Sequence, residues 1–323
     1  MAVYTEVSFD EAASLVARLG LGPLTGLCGI RSGIENTNYY ADTASGRYVL
    51  TVFERLGFEQ LPFYLHLMQH LAQHGIPVPA PHADAGGAIL HTLQGKPAAV
   101  VDLLRGAHRL APDSGHCASL GTMLARMHLA GTDFPMQQPN LRGLAWWAET
   151  VPVVLPFVDA AQRELLETEL AFQQQVAASA ACAALPRGVV HADLFRDNVM
   201  FEAGAQSGEP DRLTGLFDFY FAGVDSFLFD LGVCLNDWCI DLASGRLDEA
   251  RATALVAAYA AVRPLTGAER RLLPALMRAA ALRFWVSRLW DLHLPRDAAL
   301  LTAHDPTHFE RVLRERIASP WHP

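Results

Sequence analysis

The stretch VVHADLFRDN, residues 189–198, is the most informative part of this sequence. Two valines typical of a buried strand are followed at once by His191, Asp193 and Asn198. A second apolar stretch, LTGLFDFYFAG at residues 213–223, carries Asp218 where a strand is expected to end. A solvated loop would explain the first cluster, but it would not require a carboxylate after the next strand. The pattern therefore favours a catalytic loop.

These side chains are the set that phosphoryl transfer needs. One aspartate is required near the acceptor hydroxyl, and an amide with a second carboxylate is required to hold Mg²⁺ against a triphosphate. Mg²⁺ prefers oxygen ligands and keeps several waters, so two side chains suffice. The alternative of a zinc site at His191 is disfavoured, because no second His or Cys lies at a useful spacing in this region.

The composition limits the classes of function. A formal net charge of -9 argues against binding to nucleic acids and to anionic membrane surfaces. The first 20 residues have neither a basic segment nor a continuous apolar segment, so no signal peptide is expected, and no apolar run is long enough to span a bilayer. The five cysteines form no CxxC pair, which favours reduced core cysteines. We expect a cytoplasmic protein, monomeric or homodimeric.

Two lobes and an α+β fold follow from the order of the patterns. The N-lobe, residues 1–104, is predicted to be a small antiparallel β-sheet with one main helix near 60–75. Within this lobe a short helix is predicted at 7–20, before the first strand, with Ser8 as N-cap and Gly20 after its end. The C-lobe, residues 105–323, is predicted to be mainly helical. Its predicted helices are 114–130, 159–184, 247–262 and 267–292, and its two β-like pieces, RGVVH and RLTGLFDFY, are joined by a hairpin-like loop at 203–212.

The motif HxDxxxxN with a following FDF aspartate resembles the protein-kinase-like superfamily, in its aminoglycoside phosphotransferase and choline kinase branch. Within that branch the chain is most similar to the homoserine kinases of the aminoglycoside-phosphotransferase-like type. The segments that carry this similarity are SGIENTNYY, RYVLTVFE, LPFYLHLMQHLAQHGIPVPAP and RFWVSRLWDLHLP. The resemblance implies a two-lobe kinase-like fold and transfer of the ATP γ-phosphoryl group to homoserine in threonine biosynthesis.

The resemblance also implies roles for residues of the loop. Asp193 would orient the acceptor hydroxyl and accept its proton, and Asn198 with Asp218 would bind Mg²⁺. His191 would brace the loop. Arg196 would stabilise the transferred phosphate or simply pair with Asp197. The segment AGVDSFLFDLGV is similar to a family segment whose two aspartates, here Asp225 and Asp230, stabilise the loop.

ATP contacts are expected in the N-lobe. The candidates are the loop residues Ser32, Gly33 and Asn36, the third-strand residue Thr51, and the backbone of Val101 and Leu103 in the hinge. Protein kinases carry a lysine at the place of Thr51. Lys96 is the only lysine in this chain, and it is predicted in a turn. A degenerate, non-catalytic nucleotide-binding relative is therefore an open alternative.

Homoserine presents an ammonium, a carboxylate and one hydroxyl. Arg283 and Arg288 are candidates to clamp the carboxylate, since a guanidinium binds it bidentately, although the neighbouring apolar residues have core spacing. Asp237 is the candidate for the ammonium, and Trp238 is a further candidate. Tryptophans also suit a cage for choline-like cations, so kinases for choline, aminoglycosides or methylthioribose stay as alternatives.

Overall fold

The protein is described by a computed structural model that covers residues 4–30, 36–206, 208–294 and 304–323. It divides into two compact units. The N-terminal unit comprises Met1–Arg105 and Thr214–Phe217, and the C-terminal unit comprises Gly106–Leu213 and Asp218–Pro323. The assignment of nucleotide binding to the first and catalysis to the second stays a prediction.

The N-terminal unit is built on a five-stranded antiparallel sheet with the strand order β1-β2-β3-β5-β4. Its elements are α1 (Phe9–Arg18), β1 (Leu24–Gly29), β2 (Asn36–Thr43), β3 (Gly46–Phe53), α2 (Leu61–Gln73), β4 (His91–Leu93) and β5 (Lys96–Asp102). A small antiparallel sheet with one main helix was predicted from the sequence, and it is confirmed. Lys96 is the first residue of β5 and does not lie in the turn predicted for it.

Local capping interactions and a glycine explain where helix α1 begins and ends. Ser8 caps its N-terminus, and Ser8 and Glu11 form a reciprocal capping box. Gly20, at φ +70°, adopts the left-handed conformation that suits glycine just beyond a helix. The buried face of α1, with Leu15 and Val16, belongs to the same apolar cluster as the sheet residues Leu50, Val52 and Val100.

The C-terminal unit is mainly helical. Its elements are α3 (Ser114–Ala130), α4 (Leu144–Val154), α5 (Ala160–Ala177), α6 (Ala180–Ala183), β6 (Arg187–Val190), β7 (Val199–Glu202), β9 (Gly223–Ser226), α7 (Phe227–Trp238), α8 (Glu249–Val262), α9 (Gly267–His293) and α10 (Thr307–Ala318). Strand β8 (Arg212–Leu216) begins in this unit, and its last three residues are assigned to the N-terminal unit. Two 3₁₀ turns, Arg196–Asn198 and Phe219–Phe221, lie beside the predicted catalytic residues. In the described residues, no helix is long and apolar enough to cross a membrane.

Glycines allow the central helices of this unit to approach closely. A Cβ on Gly121 of α3 would lie 2.1 Å from the backbone oxygen of Leu255 in α8. A Cβ on Gly232 of α7 would lie 2.9 Å from the backbone oxygen of Leu276 in α9. Both values are far below an ordinary contact, so these two helix pairs depend on glycine at the crossing point.

Several sequence predictions for this unit are wrong in detail. The helix predicted at 159–184 is interrupted between α5 and α6 at Ser179, which caps α6. The predicted hairpin is replaced by two separate pairs, β6 with β9 and β7 with β8. The strand that precedes the loop at 203–212 is therefore β7, which begins directly after Asn198, and not RGVVH.

Candidate active site

The predicted catalytic loop leaves β6 at Val190 and turns sharply at Ala192. Ala192 has φ +64°, a left-handed conformation that costs a non-glycine residue about 1–2 kcal/mol. The carboxylate of Asp230, in α7, accepts hydrogen bonds from the backbone N–H groups of His191 and Ala192, each at 2.8 Å. Asp230 therefore holds the strained turn that precedes Asp193, in agreement with the role that its segment implied.

Asp230 is fully buried and has a third donor. The Nε2 of His128, in α3, lies 3.0 Å from Asp230 Oδ2, and His128 Nδ1 lies 2.8 Å from the hydroxyl of Tyr259 in α8. Burial alone would raise the pKa of Asp230, but His128 and the backbone donors outweigh burial and lower it. Burial lowers the pKa of His128. These contacts fit a neutral His128 that donates from Nε2 and accepts the Tyr259 hydroxyl proton at Nδ1.

The buried chain of polar contacts continues to the start of α9. Arg263 donates to the hydroxyl of Tyr259 at 3.3 Å and to the carboxylate of Glu269 at 2.8 Å. Glu269 also accepts from the backbone N–H of Thr266, the N-cap of α9. The catalytic loop is thus connected through side chains of α7, α3 and α8 to the first turn of α9.

Asp193 is largely buried, with only 15% of its side chain exposed. Its backbone N–H donates to Nδ1 of His191 at 3.3 Å, and the side-chain amide of Asn198 donates to its backbone oxygen at 2.8 Å. Burial raises the pKa of Asp193 to about 8. Arg283 acts in the opposite direction, whereas the negative charge of Asp218 adds to the increase. A pKa near neutral pH suits a general base, which accepts a proton once the carboxyl group has been ionised.

His191 is fully buried, and its ring centre lies 4.5 Å from that of Phe219. Its Nδ1 accepts a hydrogen bond from the Asp193 N–H, a contact that a bracing residue would make, and its role in catalysis stays a prediction. Asp218 immediately precedes Phe219 and has φ +65° and ψ +57°. Strained non-glycine conformations of this kind concentrate at functional sites. Asp193, Asn198 and Asp218 therefore lie within one electrostatically coupled part of the C-terminal unit.

Arg196 and Asp237 are paired with each other. Arg196 is buried, and its backbone N–H and its Nε donate to the Asp237 carboxylate at 2.8 and 3.0 Å. Its Nη1 donates to the backbone oxygen of Leu110 at 2.9 Å. The suggested pairing of Arg196 with Asp197 is therefore wrong, and Asp237 does not offer an uncompensated charge to an ammonium. Arg196 anchors the loop to the end of α7.

Trp238 has no exposed surface, and its indole N–H donates to the backbone oxygen of Leu194 at 3.0 Å. It packs under the catalytic loop and presents no group to a ligand. Arg288 is partly buried. Its guanidinium carbon lies 4.4 Å from the ring centre of Phe309, and its Nη1 donates to the backbone oxygen of Asp305 at 3.3 Å. Of the residues suggested for the substrate, Arg283 is the one that forms an ion pair with Asp193, at 3.7 Å between Nη1 and Oδ1.

The suggested ATP contacts belong to the N-terminal unit. Ser32 and Gly33 lie outside the described residues. Asn36 is the first residue of β2, Val101 is in β5, and Leu103 follows β5. The hydroxyl of Thr51, in β3, donates to the side-chain oxygen of Asn38 in β2 at 2.7 Å, across directly paired positions.

The single lysine does not take the place of the kinase lysine. Lys96 forms an ion pair with Glu54 and donates to the hydroxyl of Thr5 at 2.8 Å. Thr51 pairs with Ala99 of β5, and Lys96 lies three positions before Ala99 in that strand, where successive side chains point to opposite faces of the sheet. Lys96 is therefore held with Glu54 on the face opposite to Thr51.

Sequence reasoning did not identify His128 or Tyr259. His128 lies four residues after Leu124 on the buried face of α3, where a lone histidine in an apolar pattern looks like an ordinary core residue. The signal that could have found it is the presence of a second polar residue, Tyr259, on the buried face of α8. Nothing in the sequence pairs these two helices.

Residues 26–265 match the phosphotransferase enzyme family. The chain belongs to this family.

Its similarity to individual members of the family extends over the whole length. It is 67% identical over 321 residues to a homoserine kinase of Polaromonas naphthalenivorans (strain CJ2), with 99% of each chain covered. It is 60% identical over 321 residues to a homoserine kinase of Ralstonia nicotianae, with 98% of this chain and 96% of the relative covered. These relatives confirm the predicted membership in the homoserine kinase branch of the phosphotransferase family.

A solved structure of an amicoumacin kinase supports the fold. It superposes with a TM-score of 0.69, covering 98% of this chain and 96% of that chain at 17% identity. At this level of identity the likeness concerns the fold alone. The predicted α+β, protein-kinase-like phosphotransferase fold is therefore confirmed.

Proposed function

We propose that this protein is an ATP-dependent homoserine kinase, which transfers the γ-phosphoryl group of ATP to the side-chain hydroxyl of L-homoserine. The products would be O-phospho-L-homoserine and ADP, in a step toward threonine. The observation that carries the choice of substrate is the full-length identity of 67% to a homoserine kinase. The arrangement of Asp193, Asn198 and Asp218 supports the choice of reaction.

In this proposal Asp193 is the base. Its carboxylate accepts a hydrogen bond from the acceptor hydroxyl, orients one oxygen lone pair toward the γ-phosphorus, and receives the proton as the new P–O bond forms. The bond between the γ-phosphorus and the bridging oxygen breaks, and ADP leaves with the electron pair. The raised pKa of Asp193 favours retention of that proton. Asp230, His191 and Asn198 keep Asp193 in position through the loop backbone.

The residues present fit a Mg²⁺ ion. The amide nitrogen of Asn198 is committed to the Asp193 backbone oxygen, so its carbonyl oxygen is the atom available as a ligand. Asp218 supplies a carboxylate, and both are the hard oxygen donors that Mg²⁺ prefers. When bound, Mg²⁺ would neutralise charge on the phosphate oxygens and favour the ionised form of Asp193. The amicoumacin kinase with this fold was solved with AMP-PNP and Ca²⁺, which supports a nucleotide and divalent cation here.

The residues proposed for nucleotide contacts belong to the N-terminal unit. We retain Asn36 and Thr51 as candidates for phosphate contacts and the backbone of Val101 and Leu103 as candidates for adenine contacts. Since Lys96 is paired with Glu54, another donor would do the work that a lysine does in protein kinases, and the candidates are Arg47, Arg55 and backbone N–H groups. The monomeric or homodimeric state, the lack of nucleic-acid partners and the cytoplasmic location stay predictions.

The first experiment measures ADP release with Mg-ATP and a panel of L-homoserine, L-serine, choline, methylthioribose and kanamycin. We expect turnover on homoserine at a kcat/KM at least about 100-fold above that on the other acceptors. Asp193→Asn should abolish transfer while leaving ATP binding intact, and Asp291→Asn, at an exposed position of α9, is the matched control. Turnover on choline or kanamycin instead would contradict the choice of substrate. ATP binding without turnover on any acceptor would contradict the kinase assignment.

A further inference from the structure

Arg283 carries a charge that is only partly compensated. It lies in α9, its residue is 3% exposed, and its Nη1 is 3.7 Å from Oδ1 of Asp193. Its Nε and Nη2 are buried, and among the described residues neither has a hydrogen-bond partner. The N–H groups of Nε and Nη2 point in the same direction along one edge of the planar guanidinium. That edge binds a carboxylate through two parallel hydrogen bonds.

The described residues around this edge provide aromatic contacts but no hydrogen-bond acceptor for Nε or Nη2. The ring centres of Phe284 and Phe221 lie 3.7 and 4.9 Å from the guanidinium carbon, and such stacking contributes about 0.5–2 kcal/mol. Each buried donor left without a partner costs about 1–3 kcal/mol. The side chain is therefore held in a state that an anionic ligand would stabilise. Burial also lowers the pKa of Arg283 to about 10, which leaves it charged at neutral pH.

We propose that the Nε and Nη2 edge of Arg283 binds the α-carboxylate of the acceptor, and that Arg283 selects hydroxy amino acids over amino alcohols. The inference rests on the proposed homoserine kinase function. In homoserine the carboxyl carbon and the hydroxyl-bearing carbon are separated by three bonds of about 1.5 Å each. In this proposal the carboxylate is held on the Nε and Nη2 edge, and the hydroxyl extends past the guanidinium toward Asp193, whose Oδ1 lies 3.7 Å from Nη1.

A neighbouring side chain must move before a carboxylate reaches this edge, because both donor atoms are buried. Phe221 is half-buried and stacks on the guanidinium three residues after Asp218.

Other charged side chains suggested for substrate binding are already engaged. Arg288, five residues further along α9, donates to the backbone oxygen of Asp305 and stacks on Phe309. Asp237 accepts from Arg196. Arg283 differs from Arg288 in that its ion pair is with the predicted base and two of its donor atoms are buried without a partner among the described residues.

The test compares L-homoserine with 3-aminopropan-1-ol, which keeps the hydroxyl, the amine and the chain length but lacks the carboxylate. The kcat/KM ratio of the two acceptors is measured with Mg-ATP for the wild-type protein, Arg283→Gln, Arg283→Lys and Arg288→Gln. Arg271→Gln, at an exposed arginine of the same helix, is the control for loss of a positive charge. Effects of a variant on folding or on Asp193 alter both acceptors equally and cancel in the ratio.

We expect the wild-type protein to favour homoserine by at least about 100-fold, because a site built for a polar group strongly rejects an analogue that lacks it. Arg283→Gln should reduce this ratio by at least about 30-fold, mainly through kcat/KM for homoserine. Arg283→Lys should give an intermediate ratio, since it keeps the charge but not the bidentate edge. Arg271→Gln should leave the ratio within about twofold of the wild-type value.

The proposal is overturned if Arg283→Gln keeps the wild-type ratio, or if Arg288→Gln lowers the ratio and Arg283→Gln does not. The wild-type protein supplies a test that needs no variant: equal activity on homoserine and 3-aminopropan-1-ol excludes carboxylate selection. Failure of the wild-type protein to phosphorylate homoserine at all contradicts the proposed function itself, and is thereby distinguished from failure of the Arg283 proposal.

Discussion

Asp193→Asn should stabilise the protein while abolishing its activity. The pKa of Asp193 is raised from 3.8 to about 8 by burial. A carboxyl group whose pKa is raised in the folded state makes the folded protein progressively less stable as pH rises between the unfolded and folded values. The loss amounts to about 1.4 kcal/mol per pH unit. At pH 7 it reaches about 4 kcal/mol, and above about pH 8 it no longer grows. Asparagine cannot ionise and avoids this loss.

The measurement is the free energy of unfolding in urea, without nucleotide and with EDTA, at about pH 5, 7 and 9. All six tryptophans lie in the C-terminal unit, so their fluorescence follows the unit that contains Asp193. The stability difference between Asp193→Asn and the wild-type protein should increase by about 2–3 kcal/mol from pH 5 to pH 7, and then level off near pH 8. The control Asp291→Asn should change by less than about 0.5 kcal/mol.

Two results would refute this reasoning. The first is a variant that is no more stable than the wild-type protein at pH 7. The second is a stability difference that does not depend on pH between 5 and 7, because the gain would then come from something other than the ionisation of Asp193. Either result would mean that Asp193 is ionised at neutral pH in the free protein, with Arg283 as an effective counter-charge.

Asp230→Asn should destabilise the folded protein, in contrast to Asp193→Asn, because the pKa of Asp230 is lowered in the folded protein. We expect the free energy of unfolding in urea to fall by about 3–5 kcal/mol at pH 7, and this difference should shrink as pH falls below about 4. A difference under about 1 kcal/mol at pH 7 would contradict the role of Asp230. Tyr259→Phe removes the hydroxyl that donates to His128 and accepts from Arg263. It should lower the free energy of unfolding by about 1–3 kcal/mol and lower kcat more than it changes KM for ATP. Unchanged stability and kcat would contradict a role for this chain of polar contacts in positioning the catalytic loop. Ala192→Gly should change the stability of the protein by less than about 1 kcal/mol. Ala192→Val should lower the stability by more than about 2 kcal/mol, because a β-branched residue disfavours the left-handed conformation. Equal thermal midpoints for the two variants would refute this prediction.

The sequence was sufficient where local signals determine structure. The capping box of Ser8 and the glycine at position 20 define α1, and alternating residues between turn signals define β2 and β3. The spacing of His191, Asp193 and Asn198 identified the loop because a short loop keeps its residues together in any fold. The ends of α3, α8 and α9 also agree with the prediction to within a few residues.

The remaining features depend on the tertiary structure. Helix α7 is buried around nearly its whole circumference, so its apolar residues show no periodicity that a pattern could detect. Pro152 lies inside α4 and argued locally against a helix. The β6–β9 pair and the Arg196–Asp237 ion pair join residues more than 30 positions apart, and no local preference specifies such partners. Trp238 appeared suitable for a ligand by its chemistry, but burial assigns it to the core.

The pairing of Lys96 with Glu54 has a practical consequence for how such proteins are found in cells. Reagents that carry a nucleotide and acylate the lysine beside its phosphates are a general way to capture kinases from extracts. In this protein Thr51 is predicted at the corresponding position, and its hydroxyl is bonded to Asn38. The only lysine amine of the sequence is paired with a carboxylate on the other face of the sheet. A survey based on such reagents would count this protein as absent, even in a cell that depends on it.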